Sequence, residues 1–254
     1  MEVHHHPHVG KKSFKEYILE GLMIFLAVSM GFIAEGIREN MVRHEKEFHL
    51  MEILLKDLKE DTTRMNASIT NTQAKVAALD TLARLCFKAT KRILSDSQYR
   101  KMYYFMRRYG FNSTAFLPTN RAVVLLDKGD AFSLIKKQNI SDSILYYQDL
   151  TKVIEHQYSI YYENRNGINE TGKQLFDYRL MLDITGGSKA AIILQSTEKY
   201  PLLSNDKSIL QLYASGTLQV KGLLNNYLNY LQLHRNSAAN LIEALKKEYH
   251  LEKE

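Results

Sequence analysis

"EGLMIFLAVSMGFIAEG", residues 20–36, is the longest apolar run in the chain, and a glutamate stands near each end. Three readings compete for it: a cleaved signal peptide, the core helix of a water-exposed domain, or a membrane span. Its apolar centre, Gly21 to Ala34, has 14 residues, about 21 Å of helix, which falls short of a ~30 Å hydrocarbon layer. Extension from Tyr17 to Ile37 gives 21 residues and about 31 Å, which fits a bilayer when Glu20 and Glu35 lie near the headgroups. Against cleavage, "MGFIAEGIREN" offers no clean small-x-small site, because Glu35 and Arg38 crowd the candidate. A buried core helix needs protein on every side of an all-apolar stripe. The sequence therefore predicts an uncleaved membrane anchor over 17–37, behind a His-rich leader over 1–16.

Lysine and arginine flank the span equally, with Lys11, Lys12 and Lys15 before it and Arg38, Arg43 and Lys46 after it. The leader's lysines lie closest to the span, which favours a cytoplasmic amino terminus and places the bulk of the chain outside the cytoplasm.

The stretch "VHHHPHVGKKSFKEYILEGLMIFLAVSMGFIAEGIREN" resembles the start of a group of single-pass envelope proteins common in Bacteroidota, which join a His-rich leader to such an anchor. The tail "LIEALKKEYHLE" is similar to their ending. The resemblance implies a bacterial inner-membrane setting and a periplasmic C-terminal domain. It carries no activity.

Composition supports an all-α reading. Of 254 residues, 45% are hydrophobic and 24% charged, enough for a real core, and only three prolines and twelve glycines interrupt it. Beyond the anchor, Phe48, Met51, Leu55, Leu58, Thr62, Met65, Ile69, Thr72, Val76, Leu79, Ala83 and Cys86 recur at steps of three and four. That period predicts a long helix over 38–94 with a narrow apolar seam and solvated charges between, as in a coiled coil. "NASITNTQ", at 66–73, is its weakest point and a candidate break.

A helical bundle over 95–254 should pack on that helix. Ser95 reads as an N-cap for "SQYRKMYYFMRRY", closed by Gly110, and "FNSTAFLPTN" is the clearest loop. Further helices are expected over Arg121 to Lys128 with Gly129 as C-cap, from Ser141 to "NRNG", over Lys173 to Ile184, over Ala190 to Gln195, and over Leu218 to Leu251. The last of these is the intramolecular candidate to cover the seam. A parallel pairing of two chains is the alternative.

Candidate sites are few. His4, His5, His6 and His8 are potential ligands for Zn, Ni or Cu, although a flexible tract lacks fixed geometry and also reads as a solvated leader. Glu20 and Glu35 lie about 60° apart around the helix, with Ala27 and Gly31 between them as a small-xxx-small pair suited to close helix approach. They read as a self-association face with headgroup-level carboxylates, or as an ion-handling pair in a conducting or transport assembly. "YRKMYYFMRRY" mixes basic and aromatic residues as nucleic-acid binders do, but more simply as an amphipathic helix with aromatics turned to the core. "TGGSK" lacks phosphate-loop spacing, and no nucleophile, metalloprotease or paired-carboxylate motif is present. Cys86 is the only cysteine, which excludes an internal disulfide. The expectation is a structural or interaction protein rather than an enzyme, with no cofactor and no nucleic acid, whose partners are the bilayer and either further copies of itself or other envelope proteins.

Overall fold

The computed structural model describes residues 13–128, 131–181, 184 and 187–251. It is all-α: no β-strand occurs among the described residues, and Phe176 and Leu202 form only an isolated antiparallel bridge. The chain forms two units, Met1–Leu50 and Met51–Glu254.

Helix α1 runs unbroken over Phe14–Ala89. The polar stretch 66–73 does not interrupt it, because Ser68, Ile69 and Thr72 are buried there and the helix is held by what packs on it. Within the first unit, residues 17–37 turn their large apolar side chains outward: Phe25 is 66% exposed, Phe32 75% and Ile33 62%.

In the second unit the seam is buried at Met51, Leu55, Leu58, Met65, Ile69, Leu79, Ala83 and Cys86. The buried face is wider than a 3.5-residue seam. Leu54, Asp57, Asp61, Ser68, Lys75, Ala78 and Leu82 are buried beside it. The sequence reading assigned intervening charges to solvent, and for Asp57, Asp61 and Lys75 that is corrected. Six heptads were legible, but the extra width reflects packing against several elements instead of one helix.

Helix α2 (Asp96–Phe105) begins in a capping box, with the Ser95 side chain and the Gln98 side chain each bonded to the other's backbone N–H. It passes into a π-turn over Met106–Gly110. The aromatic-basic mixture is amphipathic, and Met102, Tyr103 and Met106 face the core. An extended segment, 111–120, leads to α3 (Arg121–Leu126). Gly129 lies outside the described residues, as do Thr185 and Gly186 of "TGGSK".

Helix α4 spans Gln138–Leu175, so "NRNG" does not end it. Its last turns are held by α6 (Lys207–Tyr249), the helix with which it shares its most extensive contact. A Cβ on Gly216 would meet Ile168 Cγ1 at 2.9 Å, and one on Gly172 would meet the Tyr213 ring at 3.2 Å. A side chain at 216 would press on Ile168 of α4, so glycine allows the close approach of the two helices there. The expected helix over Lys173 to Ile184 is replaced by the end of α4, an extended Phe176 and a 3-10 turn at Tyr178–Met181. Another 3-10 turn, Gly187–Ala191, leads to α5 (Ile192–Gln195). Helix α6 starts eleven residues before the expected Leu218. The Asp206 carboxylate caps it by accepting from Ser208 N and Ile209 N, and Leu210, Tyr213 and Ala214 bury its first turns.

Candidate functional site

The histidines His4, His5, His6 and His8 lie outside the described residues. Among the described residues no group of three His, Cys, Asp or Glu side chains is placed to hold a metal ion. Glu20, Ala27, Gly31 and Glu35 are all exposed on α1. A Cβ on Gly31 would meet nothing within 4 Å, so the small-residue face is bare within one chain. Glu35 forms a two-pronged pair with Arg38, with Nε–Oε2 at 2.9 Å and Nη2–Oε1 at 2.5 Å. That is the partner a carboxylate needs at the edge of an apolar segment. Helix α1 contains an 18-residue stretch of mean hydropathy 2.0, none of it buried, and is long and apolar enough to cross a membrane.

The second unit contains a polar system that sequence reasoning did not find. Segment 112–122 lies along α1 and is bonded by a row of α1 side chains. Lys75 Nζ donates to Asn112 O at 2.6 Å, Ser68 Oγ to Thr114 O at 2.6 Å, and Arg64 Nη1 to Leu117 O at 3.3 Å. Asp61 Oδ1 accepts from Thr119 N at 2.7 Å, and Asp57 Oδ2 from Ala122 N at 2.8 Å. Donor side chains meet carbonyls and carboxylates meet N–H groups.

The lengths agree. The eighteen-residue separation from Lys75 to Asp57 is about 27 Å of helix, and ten extended residues reach at most about 33 Å. Where the segment is buried, at Thr114 and Phe116, unbonded backbone polar groups would each cost about 1–3 kcal/mol. From the other side, Tyr227 OH accepts from Phe116 N at 2.8 Å, and Ser113 Oγ lies 2.7 Å from Tyr158 OH.

The same system uses most of the unit's buried ionisable groups. Asp57 also accepts from Arg121 Nε at 2.6 Å, so one carboxylate caps α3 and pairs with its first residue. Asp61 Oδ2 accepts from Tyr147 OH at 2.6 Å, and burial followed by the Asp61 charge holds that phenol protonated. His234 stacks on the Tyr147 ring at 4.3 Å, and its Nε2 lies 3.2 Å from Tyr147 O and 3.0 Å from Thr151 Oγ1. A carbonyl only accepts, so Nε2 carries the proton. Nδ1 is buried without a partner, and burial pulls the imidazole down to about 4. Cys86 is fully buried, and its thiol is pushed up to about 12 by burial.

Lys75 stands apart. It is 1% exposed, has no carboxylate partner among the described residues, and lies over the Tyr161 ring at 5.1 Å. Burial, and then the Arg165 charge, lower it to about 7. The sequence signal was present but unread: Asp61, Ser68 and Lys75 recur every seven residues, one position before the apolar seam.

No protein-family model matches the chain, and neither a curated protein nor a solved structure matches it.

Proposed function

We propose that this is a single-pass protein of the bacterial inner membrane, with its amino terminus in the cytoplasm and its helical domain in the periplasm, acting as a structural and interaction scaffold. One observation carries the reading. Leu22, Met23, Ile24, Phe25, Leu26, Val28, Met30, Phe32 and Ile33 all point away from the chain. Left in water, each large side chain forgoes about 1.5–3 kcal/mol. The sum matches or exceeds the ~5–15 kcal/mol that holds a typical domain together, so this surface needs a cover. The exposed apolar side chains go all the way around the helix, which suits lipid better than one protein groove.

Within the bilayer, the Ala27–Gly31 face is where a second copy or another envelope protein would approach. The scaffold reading is supported by the polar groups of the second unit, since Asp57, Asp61, Ser68 and His234 are engaged with backbone or neighbouring side chains. Glu35 is paired with Arg38, which suits a headgroup-level role over ion handling.

Alkaline phosphatase fused after Glu254 in a Gram-negative host tests the topology. The expected result is active phosphatase in a membrane fraction resistant to carbonate extraction. An inactive fusion places the domain in the cytoplasm, and a mature chain starting near Gly36 makes the apolar segment a signal peptide; either overturns the reading. Gly31→Leu should weaken association of the span in a membrane dimerisation assay, and unchanged association makes the face ordinary lipid-facing surface.

A further inference from the structure

Between α1, the π-turn, α4 and α6 lies a small cavity, with room of about 20 Å³ for the centre of a water-sized particle. Lys75, Tyr109, Tyr161, Arg165 and Tyr213 are among the residues lining it. Two of its walls are cationic, and neither cation is paired with a carboxylate among the described residues. Lys75 has three N–H donors. One goes to Asn112 O and the ammonium lies over the Tyr161 ring, leaving a donor with no acceptor among the described residues. Arg165 Nε and Tyr161 OH are both buried; the guanidinium stands beside the phenol oxygen, but neither of these two atoms makes a well-formed hydrogen bond. The Arg165 plane is held by stacking over Tyr162 at 4.4 Å and a 3.3 Å bond to Asn166 Oδ1.

Buried donors without acceptors each cost about 1–3 kcal/mol, more when charged, and two unneutralised cations beside one cavity add repulsion. Water would satisfy the donors but leave the charge. We infer that this cavity is a binding site for a single halide ion, chloride being the available one, held by the Lys75 ammonium, Arg165 Nε–H and the Tyr161 hydroxyl. The small room suits a monatomic anion. Its chemistry is complementary: all three polar groups donate, and a halide only accepts.

The groups facing Lys75 set its response to pH. They are Tyr161 and Arg165 from α4, Tyr213 from α6 and Tyr109 from the π-turn. Burial holds Tyr161 and Tyr213 protonated. Lys75 falls from 10.5 to about 7 without an anion. Between those values the unfolded chain holds a proton that the folded chain has released, so stability rises with pH across that window. A bound halide keeps the ammonium charged and should flatten that rise.

The test uses the full chain in detergent micelles, with thermal unfolding followed in sodium chloride, sodium bromide and sodium gluconate at equal ionic strength. Chloride and bromide should raise Tm saturably over gluconate; at ten times Kd the folding constant rises about elevenfold. Lys75→Met should abolish the halide response, and Arg165→Gln should weaken it at least several-fold. Arg165→Gln decides alone if Lys75→Met does not fold. Identical curves in halide and gluconate, a response undiminished in either variant, or an equal response to sulfate would overturn the assignment. Bromide anomalous scattering from crystals should peak in this cavity, and a peak only elsewhere would also overturn it.

Discussion

His234 is the residue whose environment and ordinary chemistry differ most usefully. Its folded value is about 4 against 6.5 for an exposed imidazole, because burial disfavours the charged ring. Between those values the unfolded chain binds the extra proton and the folded chain does not. The stability contribution is therefore complete above about pH 6.5 and is lost as pH falls toward 4, by up to about 3 kcal/mol. The denaturant midpoint should drop over that range, and His234→Gln should flatten the drop. An equally steep drop in the variant would assign the acid sensitivity elsewhere. Cys86 gives a second residue-scale expectation. A fully buried thiol with its pKa pushed up to about 12 supplies almost no thiolate at neutral pH. Iodoacetamide should label it only in denaturant, and oxidants should leave the protein without a disulfide-linked dimer. Rapid labelling of the native chain would mean that the α1 seam opens.

Among the elements, segment 111–120 and the α4–α6 pair matter most, because neither follows from local propensity. The segment is extended, contains Pro118 and was readable as a loop, yet it is held along α1 by side chains far away in sequence. Asp57→Ala removes the acceptor for Ala122 N and the partner of Arg121 together. It should cost about 2–4 kcal/mol in equilibrium unfolding. A cost below about 0.5 kcal/mol, the scale of an ordinary surface change, would mean that water replaces the carboxylate freely. Gly216→Val should be destabilising by about 1–3 kcal/mol through overpacking against Ile168, whereas the same change at Gly222, with open space around it, should be near neutral or slightly stabilising, because valine is the better helix former. A negligible cost at Gly216 as well would show that α4 and α6 can move apart. These contacts also explain the misplaced boundaries. "NRNG" carries stop signals, and residues 207–217 carry few start signals beyond Asp206. Each stretch is helical because the other buries it.

For the whole molecule, the decisive comparison is between a chain with and without residues 1–40. Unit Met51–Glu254 has its own buried core, and the large apolar side chains of residues 17–37 are exposed. The truncated chain should leave the membrane fraction and keep its far-UV helical signal and a cooperative unfolding transition. Loss of that transition would mean that the removed part of α1 is needed for folding.

The sequence by itself determined the features that depend on one stretch of chain at a time. The apolar segment 17–37, the heptads from Phe48 to Cys86, the Ser95 N-cap and the all-α class follow from periodicity, length and capping chemistry, which are local physics. Only the tertiary structure decided where helices α4 and α6 begin and end, how segment 112–122 runs, and why Asp57, Asp61 and Lys75 are inside. A charged residue at a heptad-flanking position reads as solvated until a distant backbone is found opposite it. No local pattern contains the free energy of that pairing, because the carbonyl or N–H that compensates the burial lies 37 to 65 residues away in the chain.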